Sequence, residues 1–169
     1  MLSTSLALWM SVATAATPLS LNASDGTRIH AEATLVNGAT RGVVMAHMLS
    51  RDSSDWASLA KRLESANLSS VAVDLRGHGK SDKAGTELGA EDYTAMVTDL
   101  AAAAQWLRSK GVAEVSCVGA SLGANLCAQL GAADPGIVNL VLLSPGLNYK
   151  GITSGGALKA YGDRPVLIV

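Results

Sequence analysis

Four segments of the chain are mostly apolar without alternating polar positions, and longer amphipathic segments separate them. The apolar segments are residues 42–46, 71–75, 115–119 and 138–143. A strand covered on both faces has this pattern because neither of its sides meets water. Strands that alternate with helices favour a parallel sheet with helices on both faces. The sequence therefore predicts an α/β fold, in which a further strand begins at Pro165.

The segments between these strands carry apolar residues at helical spacing. The first, residues 56–63, follows Ser53 and Ser54, which are candidates for capping the start of a helix. The second, residues 93–107, has the clearest amphipathic pattern and is followed by Gly111, a residue type common at helix C-termini. Helices in these positions suit the crossover connections that parallel strands need.

Residues 19–23 and 29–35 alternate between apolar and polar positions on either side of Asp25-Gly26. Alternation that flanks Asp-Gly predicts an antiparallel hairpin with one buried face. His30 falls on the opposite set of positions, so we expect its side chain to face solvent. The hairpin would add antiparallel strands to one edge of the sheet.

A G-x-S-x-G sequence, residues 119–123, lies between an apolar strand and a helical segment, residues 122–132. A serine hydroxyl is a weak nucleophile unless the fold exposes it and places it near a base. A sharp strand-to-helix turn exposes the hydroxyl and requires small residues on both sides. The helix start adds N–H groups and a positive dipole end. Ser121 is thus the candidate nucleophile, and the competing interpretation is an ordinary serine cap on a glycine-flanked helix.

Two further segments resemble motifs of the α/β-hydrolase superfamily. Residues 73–82 (VDLRGHGKSD) resemble the D-x-R-G-x-G-x-S segment that follows a central strand in that family. Residues 46–49 (AHML), followed by Asp55-Trp56, resemble its H-G-x loop and downstream tryptophan. With the G-x-S-x-G turn, these motifs occur in the family order within residues 19–169. The resemblance implies an α/β-hydrolase fold and a serine hydrolase of the serine esterase or dienelactone-hydrolase-like type.

The resemblance also implies an oxyanion hole. Its donors would be the backbone N–H groups of Leu122 and Leu49, with Met48 as the alternative to Leu49 because the family has Gly where this chain has Met48. His47 and His78 belong to structural motifs of the family and precede the serine, whereas the family's base follows it. We therefore expect neither histidine to be the general base.

The tripeptide Gly79-Lys80-Ser81 ends like a phosphate-binding loop, but that motif requires a glycine where this chain has Asp74. The spacing therefore excludes a nucleotide site of this type. We predict instead that Asp74, Arg76 and Lys80 are turn and surface residues.

After the candidate nucleophile the sequence contains no histidine, and its only acidic residues are Asp134 and Asp163. In the resembling family the triad acid follows the strand that residues 164–169 match, and the histidine comes one strand later. That strand would also be an exposed apolar edge, which promotes aggregation. We therefore expect a chain that is truncated before its triad acid and histidine, and that is inactive on its own.

Net charge and cysteine usage argue against several kinds of partner. The net charge is −1 and no basic run occurs, which disfavours nucleic-acid binding through phosphates. Cys117 and Cys127 do not make a disulfide framework, and no Cys/His cluster suggests zinc. We expect two buried free thiols. No metal or organic cofactor is implied, and the expected partner is a small-molecule acyl substrate.

The start of the chain allows two interpretations. Residues 6–16 are mostly apolar and end in small residues, like a secretory signal, but residues 1–5 carry no basic side chain. A cleaved signal, residues 1–16, would make the protein secreted or periplasmic, whereas a mis-assigned start would leave it cytoplasmic. The segment is too short for a comfortable membrane span. The α/β-hydrolase domain, incomplete, would then cover residues 17–169.

The leading functional hypothesis is a hydrolase that cleaves an ester or related acyl bond through an acyl-enzyme on Ser121. About twenty residues separate the strand that ends near Ser144 from the strand that begins near Pro165, so a large helical cap does not fit there. The alternative is a non-catalytic module that keeps the fold for binding or as a scaffold. Fold alone does not choose among esterase, thioesterase, peptidase and dienelactone-hydrolase-like activities.

Overall fold

The structure, a computed structural model, describes residues 16–169. Its strands are β1 (Thr17–Asn22), β2 (Arg28–Thr34), β3 (Arg41–Ala46), β4 (Ser69–Val73), β5 (Glu114–Ala120), β6 (Ile137–Leu143), β7 (Asn148–Tyr149), β8 (Ile152–Thr153) and β9 (Val166–Ile168). One sheet contains seven of them in the order β1-β2-β4-β3-β5-β6-β9, and β7 pairs with β8 separately. The predicted fold, a mostly parallel sheet with a hairpin at one edge, is confirmed.

The first two strands form the predicted antiparallel hairpin. Gly26 turns the chain with φ +86°, and the carboxylate of Asp25 accepts a hydrogen bond from the N–H of Thr27 (3.0 Å). β2 also pairs antiparallel with β4, which joins the hairpin to the parallel strands. His30 departs from its predicted exposure: its side chain is only 15% exposed, and its Nε2 lies 3.1 Å from a carboxylate oxygen of Glu32.

The remaining neighbours in the sheet, β4–β3, β3–β5, β5–β6 and β6–β9, are parallel. Every residue of β4 is buried, as is every residue of β3 except Arg41, which accounts for their lack of alternation. Successive side chains of a strand point to opposite faces. Val43 and Met45 accordingly belong to a smaller core cluster, whereas Val44 and Ala46 belong to a larger cluster on the other face.

Helices cover both faces: α1 (Ala57–Ser65), α2 (Ala90–Ser109), α3 (Leu122–Ala133) and α4 (Gly155–Tyr161). α1 packs on the smaller cluster, and the other three contribute residues to the larger one. A 3₁₀ turn, Ser53–Trp56, leads into α1, so the predicted caps Ser53 and Ser54 are wrong. The cap is Asp52, whose carboxylate accepts a hydrogen bond from the N–H of Ser54 (2.9 Å).

The connection between β6 and β9 contains elements that the sequence pattern does not reveal. It holds the β7–β8 hairpin and α4, whose residues Ala157 and Tyr161 are buried in the larger cluster. These elements are too short for an apolar periodicity to show in the sequence. α4 packs beside α3, and this described connection contains no large helical cap.

The two cysteines form a disulfide bond, which corrects the prediction of free thiols. Cys117 lies on β5 and Cys127 on α3, their Cα atoms are 5.6 Å apart, and neither residue is exposed. Their burial follows the prediction. Their pairing depends on α3 folding back across β5. The sequence alone does not reveal that this packing brings the two cysteines into contact.

Asp74 and Arg76 are buried, which corrects their predicted place at the surface, whereas the Lys80 side chain is 73% exposed as expected. The guanidinium of Arg76 donates to the carboxylate of Asp99 on α2 (2.6 and 3.0 Å) and to that of Asp25 in the hairpin turn. The hydrogen bond from Arg76 holds the pKa of Asp25 well below its usual range. Arg76 thereby joins the end of β4 to α2 and to the hairpin.

No helix among residues 16–169 has the length and apolar character needed to cross a membrane. The predicted signal lies outside the described residues except for Ala16, so it stays a prediction, as does the domain boundary at residue 17.

Replacing Arg76 by Met should lower the free energy of unfolding by about 3–5 kcal/mol, because the buried carboxylate of Asp99 would lose its cation. Arg28→Met is the matched control. Arg28 pairs with Asp82 at the surface, where its side chain is 65% exposed, and its loss should cost less than about 1 kcal/mol. Urea denaturation of both variants measures the difference, and equal losses would contradict the structural role of Arg76.

Candidate active site

Ser121 occupies the turn between β5 and α3. Its backbone has φ +51° and ψ −115°, a conformation that residues other than glycine rarely adopt and that surrounding structure must hold. Its N–H donates to the carbonyl of Leu143 on β6 (2.9 Å), and its carbonyl accepts from the N–H of Ala124 (3.0 Å). Its hydroxyl makes no capping hydrogen bond to α3. An ordinary N-cap has an extended backbone and such a bond, so the geometry disfavours a simple cap.

Two glycines allow the strands and the helix around this turn to approach closely. A Cβ on Gly119 would lie 2.2 Å from the carbonyl oxygen of Gly123. A Cβ on Gly123 would lie 2.2 Å from the carbonyl oxygen of Ala46, the last residue of β3. Both obstacles are backbone atoms, so they could not move aside without shifting a strand or a helix. The first turn of α3 therefore lies directly against the ends of β5 and β3.

This close approach brings the predicted oxyanion donors to one region of the molecule. Leu122 begins α3, and Met48 and Leu49 lie in the turn that follows β3. The carbonyl oxygen of His47, just before that turn, would lie 2.6 Å from a Cβ on Gly123. Within residues 16–169, no hydrogen bond uses the N–H of Leu122, Met48 or Leu49. All three donors are therefore available, and Met48 and Leu49 both remain candidates.

His47 connects the turn after β3 to the end of β4. Its Nε2 accepts a hydrogen bond from the N–H of Leu75 (3.1 Å), so the ring proton sits on Nδ1, which donates to the carbonyl of Met48 (2.7 Å). Burial lowers the pKa of His47 below the usual 6.5, so the ring is neutral at pH 7. Both ring nitrogens are engaged, which leaves neither free to accept a proton from a serine.

The segment that follows β4 is held by a buried carboxylate. Asp74 accepts hydrogen bonds from the N–H of Ser53 (2.7 Å) and of Lys80 (2.8 Å). Gly79 has φ +54°, and a Cβ there would lie 2.1 Å from the Asp74 carboxylate. The hydroxyl of Ser81 donates to the carbonyl of Asp74 (2.5 Å). The D-x-R-G-x-G-x-S residues thus shape the loops beside the candidate site and do not form a phosphate cradle.

The sequence profile of the family described as "Serine aminopeptidase, S33" matches residues 38–160, which include β3, the Ser121 turn and α3. The chain belongs to this S33 family. Membership agrees with the α/β-hydrolase resemblance of the three motifs. No curated protein sequence is significantly similar to the chain.

Solved structures share the fold of this S33-family chain. A complex of DcsB with a substrate analogue is 21% identical, with a TM-score of 0.72, over 79% of this chain and 47% of that one. An α/β hydrolase from Novosphingobium aromaticivorans DSM 12444 is 28% identical, with a TM-score of 0.62, over 76% of this chain and 44% of that one. The Pyrococcus furiosus esterase Pf2001 is 22% identical, with a TM-score of 0.65, over 77% of this chain and 52% of that one. The chain thus spans about half the length of each.

Asn125, which sequence reasoning missed, holds a backbone segment beside the candidate site of this S33-family chain. Its side-chain amide donates to the carbonyls of Gly146 (2.9 Å) and Ile152 (2.7 Å), and its oxygen accepts from the N–H of Gly146 (3.1 Å). These bonds fix the segment after β6 against the first turns of α3. A polar residue inside the mostly apolar sequence of α3 was the available signal, since a buried amide needs such partners.

A polar cleft of about 610 Å³ opens beside the turn that holds Leu49. Its walls come from that turn, from the loop after β4 with His78, from Tyr93 on α2 and from Lys150 in the β7–β8 turn. The ammonium of Lys150 lies 5.7 Å from the centre of the Tyr93 ring. His78 is partly buried there, with Nδ1 3.1 Å from the carbonyl of Arg76. Leu49 borders the cleft, whereas Ser121 does not line it.

Gly123→Ala should lower the melting temperature by about 5 °C or more, since the added methyl group meets the Ala46 carbonyl. Gly155→Ala is the matched control: Gly155 is also in the first turn of a helix, and a methyl group added there would meet nothing within 4 Å. That change should leave the melting temperature unchanged or raise it slightly. Equal effects in thermal melts would show that the Ser121 turn is an ordinary loop.

His47 should make the protein less stable as the pH falls. The imidazole of His47 in the unfolded chain binds a proton near pH 6.5, whereas burial keeps the ring of the folded protein neutral to lower pH. The free energy of unfolding is therefore unaffected by this group above pH 6.5 and declines below it. The free energy of unfolding, measured in urea at pH 7.5 and 5.5, should fall more in the wild type than in His47→Asn. An identical fall in both proteins would contradict the buried, neutral state of His47.

Proposed function

We propose that the protein is a serine hydrolase that cleaves an ester or related acyl bond of a small molecule. Ser121 attacks the acyl carbon, and its hydroxyl proton passes to a general base. The resulting tetrahedral oxyanion collapses, the bond from the acyl carbon to the leaving group breaks, and the leaving group takes the proton from the base. Water, losing a proton to the same base, then attacks the acyl-enzyme, and the carboxylic acid leaves as the serine oxygen regains its proton. The backbone of Ser121, φ +51° and ψ −115° at a strand-to-helix junction without a capping bond, is the observation that carries this proposal.

Backbone N–H groups would stabilise the oxyanion. Leu122 supplies one donor and Leu49 the other, with Met48 as the alternative, and the hydrogen bonds of residues 16–169 leave these groups unused. Such donors are effective because the fold holds them in place before charge develops on the substrate oxygen. The close packing of Gly123 on Ala46 supports this role, since it sets the position of Leu122 relative to the turn after β3.

The general base and the triad acid would come from outside residues 1–169. The three histidines of the sequence all precede Ser121, and His47 already uses both ring nitrogens. The matched region is about half of each comparison structure, which leaves room in a protein of that size for the further residues. Residues 1–169 alone would then be a poor catalyst that retains the nucleophile and the oxyanion donors.

A short connection between β6 and β9 suits a small acyl substrate. The connection between β6 and β9 holds only a two-stranded hairpin and the short α4, and α4 packs into the core beside α3. The esterase Pf2001 shares this fold, so the fold is compatible with ester chemistry. We propose an esterase-like activity ahead of the thioesterase, peptidase and dienelactone-hydrolase-like alternatives.

The experiment compares hydrolysis of p-nitrophenyl butyrate by residues 1–169 and by a longer chain that supplies the acid and histidine. The short chain should stay close to background. The longer chain should turn over, and Ser121→Ala should reduce its rate by at least about a thousandfold. Ser144→Ala is the matched control, because Ser144 also follows a parallel strand with positive φ (+49°) but precedes no helix.

Two results would contradict the proposal. Robust Ser121-dependent turnover by residues 1–169 would show that the base lies within them. A folded longer chain that hydrolyses no acyl substrate would instead favour the non-catalytic binding or scaffold module.

A further inference from the structure

The disulfide bond joins the two elements that meet at Ser121. Cys117 lies on β5 before the turn and Cys127 lies on α3 after it, with a sequence separation of 10. Both residues are fully buried within the larger core cluster. The bond and the Gly123–Ala46 contact therefore hold α3 at two separate points along its length.

We propose that the Cys117–Cys127 bond is a covalent lock on the Ser121 turn, formed by an external disulfide during folding and shielded from reductants afterwards. The proposal goes beyond the hydrolase activity: it concerns how the turn is kept in place and where the chain matures. It also holds if the turn serves a non-catalytic module.

The Ser121 turn needs support of this kind because its backbone conformation is unfavourable. A non-glycine residue with φ +51° persists only where surrounding structure over-determines it. The glycine contacts set how closely the first turn of α3 can approach the strands. They do not by themselves attract the helix to the sheet. The apolar side chains of α3 pack into the larger core cluster, and a covalent bond further along the helix adds to that packing because it prevents the helix from lifting away from β5.

Formation of the bond requires an oxidant outside the chain. Two cysteine thiols lose two protons and two electrons as the bond forms, and an external disulfide accepts them to become two thiols. This exchange must occur before the core closes, because a thiol–disulfide reaction needs access to the sulfur atoms. Once folded, neither cysteine is exposed, so the same reaction cannot run backwards without opening the core.

A bond of this kind indicates maturation in an oxidising compartment, because reducing conditions in the cytosol keep thiols free. The apolar segment at residues 6–16 independently has the pattern of a secretory signal. The two observations share no residues, and both favour export of the chain.

The first test counts thiols in protein that has been folded under oxidising conditions. Maleimide labelling followed by intact-mass measurement should find no free thiol, either in the native protein or in guanidinium. Native protein held in dithiothreitol should stay unlabelled, whereas dithiothreitol in guanidinium should release both thiols. Free thiols in the oxidised, denatured sample would overturn the bond, and rapid reduction of the native protein would overturn its shielding.

The second test measures what the bond does. Cys117→Ala/Cys127→Ala should melt roughly 5–10 °C lower than the oxidised wild type, through the loss of a constraint on the unfolded chain. In a longer chain that labels with a fluorophosphonate, the variant should react more slowly well below its melting temperature. An unchanged melting temperature and labelling rate would overturn the lock. If the variant does not fold, the thiol counts still decide whether the bond forms and is shielded.

Failure of the hydrolase proposal is distinguishable from failure of this one. Thiol counts and melting temperatures do not require Ser121 to react. A folded protein that never reacts with the fluorophosphonate, but whose Cys117–Cys127 bond is shielded, would contradict the proposed activity and not the proposed bond.

Discussion

The contact between the first turn of α3 and the ends of β3 and β5 determines the geometry of the whole site. Gly119 and Gly123 make it feasible, because any side chain at either position would meet backbone atoms at 2.2 Å. The contact accompanies the unusual backbone conformation of Ser121, and it packs the residue after Leu122 against the carbonyls of Ala46 and His47, just before the turn after β3. The other features of the site act by keeping this packing in place.

Buried polar residues supply much of that support. His47 ties the turn after β3 to the end of β4, Asp74 organises the next loop, and Asn125 holds the segment after β6. Arg76 connects the same region to α2 and to the hairpin. Each group has partners for its hydrogen bonds, as burial of polar atoms requires. These residues would position loops and would not touch a substrate, so their substitution should affect stability first.

The fold and the strand-to-helix turn at Ser121 could be predicted because their signals are local. Continuous apolar runs identify β3 and β4, and Ser121 lies in a motif whose strand and helix are adjacent in the sequence. Several failures concern contacts that form only when the chain folds. Arg76 meets Asp99 and Asp25 only after folding, and the pairing of Cys117 with Cys127 depends on how α3 crosses β5. Short elements such as α4 could not be predicted because they contain too few residues to show an apolar periodicity.

The central claim, that the Ser121 turn is built for nucleophilic attack, is tested most directly by a covalent adduct. A longer chain that includes the acid and histidine would be treated with a fluorophosphonate probe, digested and analysed by mass spectrometry. Such probes react with a serine that has a base to remove its proton and donors to hold the phosphoryl oxygen. The account predicts a single adduct on the peptide that contains Ser121. An adduct on another serine, such as Ser116 or Ser144, or no adduct on a folded chain, would contradict it.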